Sequence, residues 1–518
     1  MTMTAETDVL IIGSGFAGLG MGIRMRQAGL EDFVILEQAD GVGGTWRDNH
    51  YPGVACDVPS HLYSFSFEPN PNWSRLFAEQ QEILRYLNHC ADKYGVRSHI
   101  RFRSAVSSAV FDEQQGRWQV TTEGGRVYHA RAVVSACGGL SRPSYPDIPG
   151  IERFRGKTFH TARWDHDYVL DGKSVAVIGT GASAIQVVPS IVGRVKRLEL
   201  FQRTPAWVLP KPDTRIGSQQ KRRFARYPWL QLLIRRCIYL LLESRAVGFT
   251  GLLPSMQKRS EKRAREYLAA QVHDPALRAR LTPNYRIGCK RLLIANDYYA
   301  ALQRDNATVV TEGIREIRER GIVTCDGQEH ALDAIVFATG FQAAEYMAPF
   351  AVTGRDGRDL DAVWRDGAEA YLGSTVAGFP NFFLITGPNT GLGHNSMVFM
   401  IESQIRYVME ALRTMRERGL CWVEVKRRVQ AAYNKRMHER LSRTVWATGG
   451  CVSWYRTKTG KNTTLWPGFT FEFRWRTRRF DVESYLQTGE RSVSERARAL
   501  AASVRPAPSA PAEDRAHA

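Results

Sequence analysis

The chain has 518 residues, 43% of them hydrophobic and 24% charged, and carries 71 Lys and Arg against 52 Asp and Glu for a net charge of +19. This length and composition fit a globular chain of two or three domains with a substantial buried core. No apolar run of about 18 residues occurs, so no transmembrane segment is expected, and no binding module accompanies the positive charge, so no nucleic-acid partner is expected.

The start, MTMTAETDVLIIG, lacks the basic region and cleavage site of a signal peptide. The eight cysteines are Cys56, Cys90, Cys137, Cys237, Cys289, Cys325, Cys421 and Cys451, with no C-x-x-C among them. This spacing argues against a zinc site and a local redox dithiol, and no metal is expected. Scattered thiols fit a reducing, cytoplasmic setting.

The first elements are DVLIIGSGFAGLGMGIRMRQAGLEDFVILEQAD, from Asp8 to Asp40. Val9–Ile12 reads as a buried strand, Gly13, Gly15 and Gly18 form G-x-G-x-x-G, and Gly20–Gln27 continues as a helix. FVILE is the next strand and ends at Glu37, 24 residues after Gly13. Glycines there allow a tight turn and let backbone N–H groups reach a pyrophosphate, while the terminal acid can accept from ribose hydroxyls. The second copy, SVAVIGTGASAIQ, follows the strand Val175–Ile178 with Gly179, Thr180, Gly181, Ser183 and Ala184. Its next strand, LELFQ, leads to Arg203 and Thr204, so a base replaces the acid. An arginine suits a 2′-phosphate that an acid would repel. The first site is therefore expected to bind FAD and the second NADPH, since flavin passes on the electrons that nicotinamide delivers. Ala130–Gly139 and Leu332–Phe341 read as core strands that close the two nucleotide-binding halves.

The expected fold is α/β, with two Rossmann-like dinucleotide-binding domains and a helical insertion. The FAD domain spans 1–144 and 346–504, the second part contributing the substrate pocket. The NADPH domain spans 145–214 and 283–345. The insertion spans 215–282, and a tail rich in Ala and Pro, 505–518, is expected to be disordered. The insertion carries many Arg and Lys at helical spacing, with Arg235 and Arg236 interrupting its apolar stretch. Such a helix either packs on its own protein, the arrangement expected here, or lies on a membrane surface as a peripheral contact.

FRGKTFHTARWD precedes the second glycine turn and shows neither amphipathic-helix nor alternating-strand spacing. It matches F-x-G-x-x-x-H-x-x-x-W-[PD] at Phe154, Gly156, His160, Trp164 and Asp165. That pattern resembles the fingerprint of type I Baeyer–Villiger monooxygenases, within the class B flavoprotein monooxygenases, and the resemblance covers about residues 8 to 490. It implies an NADPH- and O2-dependent conversion of a ketone to an ester or lactone through a flavin C4a-peroxide. GGTWRDNHYPGVACDVPSHLYSFSF resembles that family's flavin-side loop, so Thr45, Trp46, Asp57, Tyr63 and Val106 are implied to approach flavin or nicotinamide. GCKR implies Arg291 over the flavin, oriented by Asp57, with Lys290 joining Arg203 and Thr204 at the 2′-phosphate. SWY implies that Trp454 contacts NADP, and SMVFMIE implies a flavin-proximal Met397. His160 and Trp164 are expected to hold the interdomain linker rather than touch substrate. The loop with His394 and Asn395 looks more like members acting on open-chain or aryl ketones.

Alternatives stay open from sequence. The Asp57–Arg291 pair can be purely structural. An N- or S-oxygenating flavin monooxygenase is the nearest enzyme alternative, and a basic nucleotide- or nucleic-acid-binding protein without turnover is the alternative of another class.

Overall fold

The computed structural model describes residues 4–251, 253–342, 349–457 and 459–489. The tail expected at 505–518 lies outside them.

The first sheet is built on β1 (Thr4–Ile12), whose Val9–Ile12 segment is buried. A strand covered on both faces reads as continuous apolar sequence. β1 pairs in parallel with β2 (Phe33–Leu36) on one side and β6 (Val127–Ser135) on the other. β3 (Ile100–Arg101) extends the parallel part. β4 (Val106–Asp112) and β5 (Arg117–Thr122) run antiparallel into β6. Helix α1 (Phe16–Gln27) follows β1 and is buried over most of its length.

The second sheet has five strands, all parallel: β7 (Lys157–His160), β8 (Ser174–Ile178), β9 (Arg197–Phe201), β10 (Ala307–Val310) and β11 (Ala334–Phe337), in the order β10-β9-β8-β11-β7. Helix α2 (Ala184–Ile191) follows its glycine turn. The chain then returns to the first sheet, where β12 (Ala351–Thr353) pairs with β4 and β13 (Phe382–Leu384) with β6.

The two glycine turns are held in the same way. Gly13 has φ +101° and a Cβ there would sit 2.8 Å from the Ala136 carbonyl oxygen, just past β6. Gly179 has φ +117° and a Cβ there would sit 2.5 Å from the Ala338 carbonyl oxygen, just past β11. Each turn leans on the strand that closes its half, so the segments Ala130–Gly139 and Leu332–Phe341 leave no room for a side chain at those glycines.

The fingerprint segment departs from the irregular linker its spacing suggested. Lys157–His160 forms β7, the edge of the second sheet, in parallel register with Ala334–Phe337. Four residues are too few to display an alternation. A Cβ on Gly156 would lie 2.5 Å from both the Asp333 carbonyl oxygen and the Phe154 ring, so the glycine lets Phe154 fold over the strand. Trp164 is buried with its ring edge-on to Phe159 at 4.8 Å. Asp165 pairs with Lys157 at 2.6 Å.

Between β9 and β10 lie helices Ser218–Arg226, α3 (Pro228–Ser244), Ala246–Phe249, Pro254–Gln271 and Pro275–Arg280. Helix α4 (Met397–Glu417) packs on α1 and closes the first domain. The expectation of free thiols fails at one place. Cys289 and Cys451 form a disulfide with Cα atoms 6.1 Å apart. Sequence spacing gave no sign of it because the partners are 162 residues apart.

Candidate active site

The first glycine turn faces a second pair of glycines. A Cβ on Gly15 would meet the Gly44 Cα at 3.7 Å, and a Cβ on Gly18 would overlap the Gly13 carbonyl oxygen at 1.8 Å. Helix α1 therefore starts against bare backbone, with N–H groups free of side-chain cover, which is the arrangement a pyrophosphate requires. Glu37 is buried at the end of β2. One carboxylate oxygen accepts from Ser14 N–H at 2.8 Å and Ser14 Oγ at 2.7 Å, and the other accepts from Ala39 N–H and Arg47 Nη1, both at 3.0 Å. A ribose hydroxyl at Glu37 would replace the Ser14 or Arg47 side-chain donor. Val106 stands at this end, two residues past Ser104, whose N–H donates to the Glu37 carbonyl at 2.8 Å.

From Gly43 to Phe67 the chain crosses from the first fold to the second. Thr45 and Trp46 begin a one-turn helix, Thr45–Asp48. Trp46 Nε1 donates to the Tyr63 hydroxyl at 3.0 Å, and Phe16 packs edge-on against Tyr63 at 5.3 Å. Gln186 on α2 accepts from the Tyr51 hydroxyl and donates to the Ala55 carbonyl, each at 2.9 Å. Gly53, at φ +82°, lets the loop lie on α2, because a Cβ there would strike Ser190 Oγ at 2.1 Å. None of Tyr51, Gly53 or Gln186 was foreseen from sequence.

At the end of this crossing stands Asp57. Arg291 donates to it through Nε and Nη2, both at 2.7 Å, in a two-point fork. Burial works against the Asp57 anion, but the facing guanidinium outweighs it and keeps the carboxyl below the usual range. The Asp57 carboxylate in turn holds the Arg291 proton far more tightly than an isolated guanidinium would. Arg291 is thus a permanent, oriented cation.

The second turn is more open. Nothing lies within 4 Å of a Cβ built on Gly181, while Ala184 is fully buried where α2 meets β8. Ser183 lies at the start of α2, and Thr180 Oγ1 donates to the Thr204 carbonyl at 2.7 Å. Arg203 is exposed at the end of β9. Burial and the nearby Arg203 cation both lower the affinity of Lys290 for its proton. Two cations gathered next to an exposed glycine turn suit an anion. Lys290 and Arg291 are consecutive, so one segment joins this anion site to the ion pair.

The profile of the flavin-binding monooxygenase-like family matches residues 6–351. A Baeyer–Villiger monooxygenase of Pseudomonas aeruginosa is 53% identical over 93% of this chain and 91% of its own length. One of Streptomyces coelicolor is 51% identical over 92% of each. The chain belongs to the Baeyer–Villiger monooxygenase family. Among solved structures, an oxidized steroid monooxygenase bound to NADP superposes with a TM-score of 0.82 at 33% identity, covering 93% of this chain and all of that one.

The residues of this monooxygenase fit a flavin and a nicotinamide. Beyond the two bare turns, four of the buried polar atoms without a hydrogen-bond partner among the described residues are the Tyr455 hydroxyl, Trp446 Nε1 and both ring nitrogens of His394. They cluster around Gly288–Arg291. Phe249, whose ring would meet a Cβ on Gly288 at 2.9 Å, packs on both His394 and Trp446, at 6.2 and 5.8 Å. Tyr455 lies beside Arg291, and burial pushes its hydroxyl to about 12 despite that cation, so it keeps its proton. The Trp454 ring lies tilted against Tyr455 at 4.6 Å and is itself 43% exposed. The Cys289–Cys451 bridge ties this segment to Lys290 and Arg291.

Glu243, on α3, anchors the loop bearing His394. It accepts from Asn395 Nδ2 at 2.6 Å and Thr470 Oγ1 at 2.8 Å, and the His394 ring lies 3.7 Å away, beyond bonding reach. A sequence signal existed, since Glu243 is the one acidic residue between Asp213 and Glu261. Met397 opens α4, whose cap Ser396 accepts from the Val398 N–H at 3.3 Å.

His160 is fully buried. Its Nδ1 accepts from the Ala162 N–H at 3.0 Å, and its ring meets Tyr145 and Phe341 edge-on. Burial lowers it to about 4, so it is neutral in the fold near neutral pH. The unfolded chain takes up this proton near the ordinary value of about 6.5. Below that pH the unfolded state binds more protons, so the contribution of His160 to stability is present above pH 6.5 and falls as pH drops toward 4. His160→Asn, which keeps an acceptor for Ala162, should flatten the loss of Tm over this window. His61, also lowered to about 4, would keep a remaining slope. An unchanged slope in the variant would contradict the assignment.

Proposed function

We propose that the enzyme converts a ketone, NADPH, a proton and O2 into an ester or lactone, NADP+ and water, with Arg291 and Asp57 as the catalytic pair. Support for their role comes from the two-point ion pair standing between the two glycine turns. FAD supplies the redox chemistry when bound, accepting electrons from NADPH and delivering them to O2. Gly13, Gly15, Gly18 and Glu37 would hold its dinucleotide half. Thr45, Trp46, Tyr63 and Met397 would line the reacting end. Gly179, Thr180, Gly181 and Ser183 would cradle the NADP pyrophosphate, Arg203, Thr204 and Lys290 the 2′-phosphate, and Trp454 would cover the bound nucleotide.

Negative charge develops on the ketone oxygen as its carbon is attacked. A cation that neither loses its proton nor moves stabilises that charge without reorganisation. Asp57 fixes the plane of the guanidinium and leaves Nη1 free of its fork. The Tyr455 hydroxyl, protonated beside Arg291, is a second donor in reach of the same region. The fingerprint residues Phe154, Gly156, His160, Trp164 and Asp165 position β7 at the sheet edge rather than meet the substrate. A small-molecule ketone and O2 are thus the reactants, and we place the reaction in the cytoplasm, where NADPH is regenerated; the Cys289–Cys451 bridge is the feature that runs against this location.

The test is direct. The purified enzyme should be yellow, and a panel of ketones should raise O2-dependent NADPH consumption with an ester recovered in proportion. A colourless protein, or NADPH consumption that no ketone changes, would overturn the reading.

A further inference from the structure

One side of α3 is fixed to the protein. Leu230, Ile234, Ile238 and Tyr239 pack on the main core, Gln231 donates to the Asn70 carbonyl at 2.6 Å, and Arg235 donates to the His61 carbonyl at 2.7 Å. The opposite side is apolar and uncovered. Trp229 is 63% exposed, Leu233 49% and Leu240 65%, and their spacing of four and seven residues puts them on one stripe, with Leu241, 61% exposed, beside it near the end of the helix. The helix packs on its own protein, as expected, but by half its circumference only. Beside it, the short helix Thr470–Arg476 is tied to α3 through Tyr239 and Glu243 and exposes Phe471 and Trp475. A contiguous apolar patch of this kind marks an interaction site.

Charge decides what the patch meets. Residues 215–282 hold fifteen Lys and Arg against four Asp and Glu, so more than half of the chain's net charge of +19 is concentrated here. The helix that leads into α3, Ser218–Arg226, carries Lys221, Arg222, Arg223 and Arg226 and no acid. A second copy of the same face would set these cations against their own kind. Arg236 stands within the apolar stripe, where its long stem can lie along the helix and lift its charge to a polar layer. Among the described residues no single helix is long and apolar enough to cross a membrane. An exposed Trp-Leu stripe on a helix lying flat, flanked by cations, has the composition of an interfacial anchor.

We infer that α3 and its flanking cations dock the enzyme on the surface of an anionic lipid bilayer. The apolar stripe enters the boundary between headgroups and acyl chains, and the Ser218–Arg226 cations pair with anionic headgroups. The test uses the FAD-loaded full chain in flotation with phosphatidylcholine vesicles, with and without phosphatidylglycerol. The expected result is flotation with the anionic vesicles at low salt, a loss at high salt, and a blue shift of tryptophan emission on binding. Leu240→Gln with Leu241→Gln should weaken vesicle affinity by about tenfold or more, with flavin content and NADPH oxidation unchanged. Arg222→Glu with Arg223→Glu should remove the preference for anionic lipid. The proposal fails if neither vesicle floats the enzyme. It fails equally if the leucine variant floats like wild type, or if light scattering shows a dimer that the same variant takes apart, which would assign the face to a second copy.

Discussion

Arg291→Ala is expected to lower ester formation by about a hundred- to a thousandfold, the effect of removing one donor to a developing oxyanion, while NADPH still reduces the flavin. The two steps use different parts of the segment. In the proposed roles, reduction would need the nucleotide held at Arg203 and Lys290, whereas ketone attack would need the cation that Asp57 orients at 2.7 Å. Stopped-flow reduction without oxygen should therefore be close to wild type, and with oxygen the NADPH consumed should appear as hydrogen peroxide rather than ester. Arg291→Lys keeps the charge but not the fork, and should recover only part of the loss. The alanine variant also strands Asp57, so its folding is checked by flavin content. Ester formation at a near wild-type rate would show that the pair is structural only.

Arg203→Ala is expected to raise the KM for NADPH by about ten- to a hundredfold, the effect of one lost charged contact, and to change that for NADH little. Lys290 remains in the variant, so discrimination is reduced rather than abolished. Burial and then the nearby Arg203 cation lower the proton affinity of Lys290, and a bound phosphate would relieve the second of these. Equal effects on both nucleotides would contradict the assignment of the 2′-phosphate.

What sequence revealed was mostly local. The two glycine turns and their unlike ends, Glu37 and Arg203, lie within single βαβ units, where spacing along the chain is spacing in space. The pairing of Asp57 with Arg291 spans 234 residues, and only the resemblance to a family brought them together. Nothing local marks Cys289 as the partner of Cys451. The strand β7 escaped because an edge strand of four residues takes its structure from β11 rather than from its own pattern. Glu37 was expected to face a ribose, yet neighbours in the turn already fill both its oxygens, and only side-chain geometry shows that competition. The apolar content of α3 was plain, but which half of it stays uncovered depends on His61, Asn70 and Thr470, far away in sequence.

The measurement closest to the central claim is the fate of molecular oxygen. With a ketone, NADPH and ¹⁸O2, the account predicts an ester carrying one labelled oxygen, placed between the former carbonyl carbon and the carbon that migrated, with the carbonyl oxygen unlabelled. An ester without label, or label found only in N-oxide or S-oxide products while ketones stay unchanged, would contradict it.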